Sequence, residues 1–365
     1  MPVDIQALLK AIVEAKASDL HISTASPPMA RMRGEMVPFQ VPPLDPQETR
    51  DALYGILTPA QKAEFEERHE LDFAIEIPGL SRFRANFFEQ RRGVGAVFRV
   101  IATKVPTLEE LKTPAILREL ASKERGLVLV TGPTGSGKST TLAAMIDYVN
   151  ATYAKHIITI EDPIEFVHER KRCLINQREV GAHTASFAAA LRGALREDPD
   201  VLLVGELRDL ETTSLAITAA ETGHLVFGTL HTNSAPKTID RIVDIFPADR
   251  QSQIRTMLSE SLEGVVAQTL IPTADGKGRV AAHEILVGVS ALRNLIREGK
   301  TAQIPSMMQV GAKDGMVMLD QALKDLVTSG KITPAAALIR STNPKLFESG
   351  MAATQAAQTG SAAAR

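Results

Sequence analysis

The 365-residue sequence contains one cysteine, no tryptophan and three tyrosines. A single thiol, Cys173, excludes an internal disulfide and any zinc module built from several cysteines, so we interpret it as a buried free thiol. The scarcity of aromatic rings argues against a platform for stacking nucleic-acid bases. The formal net charge of −2 gives no general attraction to nucleic acid. We therefore expect no nucleic-acid partner.

Long apolar runs are also missing. No stretch of about 18 apolar residues occurs, which argues against a membrane-spanning helix. The first sixteen residues lack the charged, apolar and small-residue regions of a signal peptide. We therefore expect a cytoplasmic protein that can dock on a membrane partner. The length suits two domains, each large enough to bury its own core.

The first part of the chain mixes helical and strand patterns. A helix is predicted near residues 5–13 and another over 47–68, whereas alternating polar and apolar residues predict strands over 82–87 and 94–100. Residues 1–102 are therefore predicted to form a small α+β domain. Residues 103–114, which contain Pro106 and Pro114, are predicted to be a linker and hinge.

After the linker the pattern changes to strands that alternate with helices. This alternation predicts a parallel sheet covered by helices on both faces, within an α/β domain over 115–347. The strands are predicted at 126–131, 156–160, 201–204 and 225–230, and the helices at about 138–150, 186–196, 210–221 and 250–268. The Ala-, Gln- and Ser-rich residues 348–365 are predicted to be a disordered tail.

The sequence GPTGSGKS fits the pattern G-x-x-x-x-G-K-[ST] and stands between a predicted buried strand and a helix. In such a P-loop the backbone N–H groups wrap phosphates, the lysine reaches the β- and γ-phosphates, and the final hydroxyl binds Mg²⁺. The pattern therefore predicts binding of ATP and Mg²⁺. The predicted nucleotide contacts are Gly132, Pro133, Thr134, Gly135, Ser136, Gly137, Lys138, Ser139 and Thr140.

Hydrolysis also needs a group that orients or deprotonates water. The apolar strand 201–204 would deliver Glu206 at its carboxyl end, where ligands bind in such sheets. Gly205 stands where ordinary P-loop ATPases carry a magnesium-binding aspartate. We therefore expect the acidic segment after strand 156–160 to supply the missing groups, with Glu161 and Asp162 near Mg²⁺, directly or through water, and Glu165 in catalysis.

His224 and His231 flank the strand 225–230. Their odd separation places them on opposite sides of a continuous strand, and no cysteine is nearby, so a zinc site is not expected. His231, at the carboxyl end, is the better placed to sense the γ-phosphate. The alternative is a hydrogen-bonded structural histidine. Arginines from a second domain or subunit often complete such sites, and Arg84 and Arg99 on the predicted N-terminal strands are candidates.

Together these segments resemble the secretion ATPases of type II secretion and type IV pili, from about residue 4 to 345. Four blocks carry the resemblance: VTGPTGSGKSTTLAAMID, IITIEDPIEF, REDPDVLLVGELRDLET and AETGHLVFGTLHTNSA. The chain is most similar to the PilT-like branch of pilus-retraction motors. It has a short N-terminal part, lacks the four-cysteine zinc module of the other branches, and carries ALRNLIRE at 291–298, where Leu292 replaces the usual isoleucine.

The resemblance implies a RecA-like P-loop ATPase core preceded by a small α+β PAS-like domain, assembled as a homohexamer. It implies that Glu206 is the catalytic glutamate and that Arg84 and Arg99 close on the phosphates. It further implies a location at the inner membrane and partners there: the pilus platform protein, the pilin fibre through it, and a second retraction ATPase as an optional partner. Three other functions remain open, namely a PilU-like accessory subunit with low turnover, an extension or secretion ATPase, and a nucleic-acid motor.

Overall fold

The computed structural model describes residues 3–32, 34–101 and 104–348. The chain divides into two compact units: residues 1–104 with 165–167 form unit 1, and residues 105–164 with 168–365 form unit 2. Apart from Glu348, the predicted tail lies outside the described residues, as does Thr103 of the predicted hinge. No helix within the described ranges has both the length and the apolar character that crossing a bilayer requires.

Unit 1 is an antiparallel six-stranded sheet with three helices, in agreement with the predicted α+β class. The strand order is β3-β2-β1-β6-β5-β4. The elements are α1 (Ile5–Glu14), β1 (Asp19–Ser23), β2 (Met29–Met32), β3 (Glu35–Pro38), α2 (Pro46–Tyr54), α3 (Pro59–Arg68), β4 (Glu70–Ile77), β5 (Ser81–Gln90) and β6 (Gly93–Ile101). Four buried phenylalanines, Phe65, Phe83, Phe87 and Phe98, pack in its core.

The predicted helix over 47–68 is in fact two helices, so that prediction was wrong. The chain leaves α2 at Gly55, and α3 begins anew at Pro59 with Thr58 as its N-cap. The Thr58 hydroxyl accepts a hydrogen bond from the Gln61 backbone N–H, and Oε1 of Gln61 accepts one from the Thr58 backbone N–H. This capping box, together with a proline at the first helical position, starts a new helix rather than continuing an old one.

Unit 2 contains a seven-stranded sheet of order β13-β12-β7-β11-β10-β8-β9. All neighbouring strands are parallel except β13, which is antiparallel to β12. The strands are β7 (Gly126–Thr131), β8 (His156–Glu161), β9 (Leu174–Glu179), β10 (Val201–Val204), β11 (Leu225–Leu230), β12 (Leu262–Pro272) and β13 (Arg279–Val287).

Helices cover both faces of this sheet, as the strand–helix alternation predicts. On one face α4 and α5 pack on Val128 and Val130, and on the other face α6 to α9 pack on Leu127 and Leu129. The helices are α4 (Ile116–Ala121), α5 (Lys138–Thr152), α6 (Phe187–Ala194), α7 (Leu210–Glu221), α8 (Ala235–Val243), α9 (Gln251–Ser261), α10 (Ser290–Arg297), α11 (Ile304–Val310), α12 (Leu319–Thr328) and α13 (Pro334–Leu338).

The prediction of a single helix over 250–268 was wrong. Helix α9 ends at Ser261, and the chain continues at once into β12, which lies between β7 and β13. Gly264 disfavours a helix, and the β-branched pair Val265 and Val266 favours a strand that is buried on both faces. Strands β3, β4, β9 and β13 were also not predicted from the sequence.

The predicted linker is partly packed into unit 2. Leu108 is buried in the same core cluster as Ile116 and Leu117. The Thr107 hydroxyl and the Glu110 carboxylate each accept a hydrogen bond from the other residue's backbone N–H. Residues 107–114 are therefore ordered, and the hinge stays a prediction.

Cys173 is a buried free thiol, as expected.

Candidate functional site

The GPTGSGKS segment forms a loop between β7 and α5, in the predicted context. Three of its residues have the positive φ that favours glycine: Gly132 at 145°, Gly135 at 76° and Gly137 at 88°. A Cβ atom on Gly132 would lie 2.3 Å from the backbone carbonyl of Gln268, so a larger residue cannot be accommodated without moving β12. The glycines therefore fix both the curvature of the loop and its close approach to the sheet.

Lys138 is the first residue of α5. Its ammonium group donates hydrogen bonds to the carbonyls of Gly132, at 2.9 Å, and Pro133, at 3.1 Å. The positive charge is thus held above the loop, next to the N-terminus of a 15-residue helix. A helix N-terminus and a lysine at one loop make a strong site for the phosphates of a nucleotide.

A cavity of about 720 Å³ adjoins the loop within unit 2. It begins at Gly137 and Thr140 and extends along β12 and β13 past Leu270, Val280 and His283. Most of the side chains that line it are polar or charged, and Leu111, Leu270 and Val280 supply apolar surface against which a base can pack. The sequence analysis did not predict this cavity, because it lies on the two strands that were missed.

Glu206 lies just beyond the carboxyl end of β10 and is held between an arginine and a histidine. Its carboxylate is 2.6 Å from the Arg208 guanidinium and 3.1 Å from Nε2 of His231, and only 17% of its side chain is exposed. Burial opposes ionisation, but the hydrogen bonds and charges of Arg208 and His231 outweigh it, so the pKa of Glu206 lies below its usual value. This carboxylate is therefore ionised at neutral pH.

The two flanking histidines differ in their surroundings. Since β10 and β11 are parallel neighbours in register, their carboxyl ends bring Glu206 and His231 together. His224 lies at the other end of β11, where its Nδ1 is 3.0 Å from the carbonyl of Ala219. His224 is therefore structural. The contact of Arg208 with Glu206 was not predicted from the sequence.

The acidic segment after β8 is divided between two environments. One oxygen of Glu161 accepts hydrogen bonds from Thr159, at 2.6 Å, and from Gln177, at 3.1 Å. The pKa of Arg208 is raised chiefly by Glu206 and in part by Asp162, which is exposed and lies close to the guanidinium. The side chains of Asp162, Arg208 and Glu206 therefore share one neighbourhood at the carboxyl edge of the sheet.

A magnesium ion would have to fit this edge without a ready-made cage. The described residues contain no cluster of three His, Cys, Asp or Glu able to hold a metal. Mg²⁺ usually keeps several waters and takes one or two protein oxygens plus phosphates. The Ser139 hydroxyl in the first turn of α5, with Glu161 and Asp162 at the end of β8, the third strand along the sheet from β7, fits a mode of binding in which waters bridge the ion to the acids.

The remaining predicted site residues belong to unit 1. Glu165 is exposed. Arg84 and Arg99 are direct cross-strand partners on β5 and β6, so their side chains extend from the same face of the sheet. Arg99 pairs with Asp19 at 2.8 Å, and Arg84 reaches Asp72 at 3.8 Å. Two like charges opposite each other destabilise a sheet unless an anion offsets them.

Comparison with known families gives a match over almost the entire chain. The family described as "Type II/IV secretion system protein" matches residues 2–362. The "Type IV pilus retractation ATPase PilT" of Pseudomonas aeruginosa is 56% identical over 345 residues, covering 94% of this chain and 100% of that protein. A "Twitching motility protein" of Neisseria gonorrhoeae is 56% identical over 331 residues, covering 91% and 88%. PilU of P. aeruginosa is 46% identical over 331 residues, covering 91% and 87%.

Solved structures agree with these matches. The crystal structure of the "Pilus Retraction Motor PilT and Bound ADP" superposes with a TM-score of 0.89 at 48% identity, covering 94% of this chain and 98% of that one. The ATPase DotB of Legionella pneumophila gives a TM-score of 0.79 at 29% identity, covering 93% and 95%.

Proposed function

Because the chain belongs to the type II/IV secretion system protein family, we propose that it is an ATP-hydrolysing motor that powers retraction of a type IV pilus. The observation that carries this proposal is a P-loop after β7 and an ionised glutamate after β10, two strands along the same edge of one parallel sheet, in a chain 56% identical to a pilus-retraction ATPase over 345 residues. Retraction of the pilus is what moves a cell in twitching motility.

The P-loop binds the phosphates of ATP. The backbone N–H groups of residues 132–139 surround the β- and γ-phosphates, and Lys138 exchanges its two carbonyl contacts for phosphate oxygens. The nucleoside occupies the cavity beside Gly137 and Thr140. There the apolar side chains of Leu270 and Val280 can pack against the base.

Glu206 orients the attacking water and accepts its proton. Its lowered pKa keeps the carboxylate ionised, and its contacts with Arg208 and His231 hold it in place. The contact with Glu206 also holds His231 in a position from which it can contact the γ-phosphate. Mg²⁺, held by Ser139 and by Glu161 and Asp162 directly or through water, would neutralise charge that develops on the phosphates. Glu165, which follows Asp162 in the same acidic segment, assists turnover.

Six copies of the chain form the motor. In such a ring the unit of residues 1–102 closes on the bound nucleotide through Arg84 and Arg99, and hydrolysis reopens it about the hinge at 103–114. On closure Arg99 exchanges its contact with Asp19, and Arg84 its contact with Asp72, for phosphate oxygens. Closure and reopening in sequence around a ring deliver a mechanical stroke.

The motor acts at the inner membrane. Its partners there are the pilus platform protein and, through it, the pilin fibre, with a second retraction ATPase as an optional partner. The first alternative is an accessory PilU-like subunit. The identity of 56% to PilT against 46% to PilU, both from P. aeruginosa, favours the motor itself.

The test is ATP hydrolysis per subunit as a function of protein concentration, for the wild type, Glu206→Gln and Lys138→Ala. We expect a wild-type rate that rises with concentration to a plateau, because arginines of a neighbouring copy complete the site. Loss of a general base costs about 10²–10⁴-fold in rate, so Glu206→Gln should bind nucleotide but turn over almost none. Lys138→Ala should lose nucleotide affinity as well, which separates the two roles.

A negligible wild-type rate at every concentration would contradict the motor and support the accessory subunit. In cells, deletion of the gene should leave abundant pili that do not retract. Absence of pili would instead identify an extension motor.

A further inference from the structure

We propose that Gln268 is a positioning residue for the phosphate-binding loop. The side-chain amide of Gln268 holds the Ser136 carbonyl beneath the loop and so turns the backbone N–H of Gly137 towards the nucleotide. The inference rests on the proposed function, since it concerns the same P-loop. Gln268 lies on β12, more than 120 residues from the loop in sequence, and its side chain is only 5% exposed.

The orientation of the Gln268 amide follows from its two partners. Its Nε2 donates to the backbone carbonyl of Ser136 at 2.7 Å, and its Oε1 accepts from the Thr141 hydroxyl at 2.7 Å. A carbonyl only accepts, so the nitrogen of the amide must face Ser136, and the oxygen must face Thr141. Both bonds are buried, so neither group can exchange its partner for water without cost.

The contact with Ser136 fixes more than one carbonyl. The Ser136 C=O and the Gly137 N–H belong to one planar trans peptide and point in opposite directions. Because Gln268 captures the carbonyl on the sheet side, the Gly137 N–H must point away from the sheet, into the concave face of the loop. That N–H is among the donors that a bound phosphate requires.

Gln268 also lies close to both ends of the phosphate-binding loop. A Cβ atom on Gly132 would lie 2.3 Å from the Gln268 carbonyl, and one on Gly137 would lie 2.8 Å from the Gln268 side-chain nitrogen. Gln268 therefore touches the first glycine, the last glycine and the serine between them. This arrangement explains why a polar residue occupies a buried strand position where an apolar one would otherwise pack.

The test compares ADP binding by isothermal titration calorimetry for four variants of the full chain. Gln268→Glu keeps the size and the acceptor for Thr141 but places an oxygen against the Ser136 carbonyl. Gln268→Leu removes both bonds. Thr141→Val removes only the bond to Oε1. Thr269→Val is the matched control, because it changes the next residue of β12, whose side chain points to the opposite face of the sheet.

We expect Gln268→Glu and Gln268→Leu to bind ADP at least tenfold more weakly, Thr141→Val about threefold more weakly, and Thr269→Val as the wild type does. Adenosine, which lacks phosphates, should lose much less affinity than ADP in each variant when measured by ligand-detected NMR, although Gln268 and Thr141 also line the cavity proposed for the nucleoside. Lowering the pH should restore ADP affinity to Gln268→Glu alone, because a protonated carboxyl can again donate to Ser136. A merely structural defect would not recover with a proton.

ADP binding of wild-type strength in both Gln268 variants would overturn the inference, as would an equal loss of adenosine binding. Should both variants fail to fold, Thr141→Val decides: weaker ADP binding that Thr141→Ser restores supports the inference, and unchanged binding overturns it. If the wild-type chain itself binds no ADP, the proposed function fails instead.

Discussion

Two buried histidines should make the stability of the protein fall between neutral and mildly acidic pH. Burial lowers the pKa of His283, on β13, from 6.5 to about 4. Burial likewise lowers the pKa of His168 to about 4, with Asp147 opposing the shift and Lys171 adding to it. Among the described residues neither ring has a partner for one of its nitrogens, Nε2 in His283 and Nδ1 in His168.

The sign follows from which state takes up the proton. Below a pH of 6.5 the unfolded chain protonates these rings, whereas the folded chain does so only near 4, so the free energy of unfolding decreases as the pH falls through that window. The difference between a pKa of 6.5 in the unfolded chain and about 4 in the folded chain corresponds to ~3 kcal/mol of unfolding free energy for each ring. Between about pH 7 and about pH 5.5 each should cost ~1 kcal/mol, and the pair ~2 kcal/mol.

The measurement is urea-induced unfolding at fixed protein concentration at those two pH values, for the wild type, His283→Gln, His168→Gln and the double variant. Each single variant should reduce the pH-dependent change in unfolding free energy by ~1 kcal/mol and the double variant by ~2 kcal/mol. The remainder should include His21, whose pKa is also lowered by burial. Because each variant is compared with itself at two pH values, the cost of the substitution cancels. An unchanged pH dependence in His283→Gln would refute the assignment of a buried neutral imidazole.

Three further predictions concern the site and the C-terminal helices. Glu165→Ala should keep nucleotide binding and lose about tenfold or more of the turnover, whereas the exposed Glu169→Ala should match the wild type; full turnover would remove Glu165 from the mechanism. Arg208→Ala should raise the pKa of Glu206, because burial then lacks its main opposing partner, and so shift the acid limb of the pH–rate profile upwards; an unshifted limb would contradict this. Helix α10 covers most of the segment ALRNLIRE, which resembles the retraction branch, and we expect it to transmit the motion of the ring. Leu295→Ala, on the partly buried side of α10, should therefore leave the ring and ATP hydrolysis intact but abolish retraction, with Asn294→Ala as the exposed control; unchanged retraction would exclude this coupling role.

The sequence predicted those parts of the site that are encoded locally. The loop GPTGSGKS carries its own glycines, and the apolar run at 201–204 delivers Glu206 at a strand end, so both could be placed from a few consecutive residues. The meeting of Glu206 with His231 needed one more fact, that β10 and β11 are neighbours. Strand order cannot be read from periodicity, because it depends on which faces pack together.

The error over 250–268 had a larger consequence. The segment LEGVVAQTLIP follows a helix with no proline between them, so the apolar pattern could be extended as a helix even though Gly264 and two valines favour a strand. With β12 assigned as helix, Gln268 had no place beneath the loop, and the cavity on β12 and β13 could not be foreseen. The contact of Gln268 with Ser136 spans 132 residues of sequence.

The same packing explains the missing aspartate before Glu206. The backbone of Gly205 donates to the Ile160 carbonyl at 2.8 Å and accepts from the Thr229 hydroxyl, so it is wedged between β8 and β11. A Cβ atom there would lie 3.1 Å from the Ile160 carbonyl and 3.4 Å from Cα of Glu161. A carboxylate on residue 205 would therefore compete for space with the end of β8, which already presents Glu161 and Asp162. The close approach of β8 therefore crowds any side chain at residue 205, whereas the end of β8 itself carries acidic groups, and this is a physical reason to seek the magnesium-associated acids there.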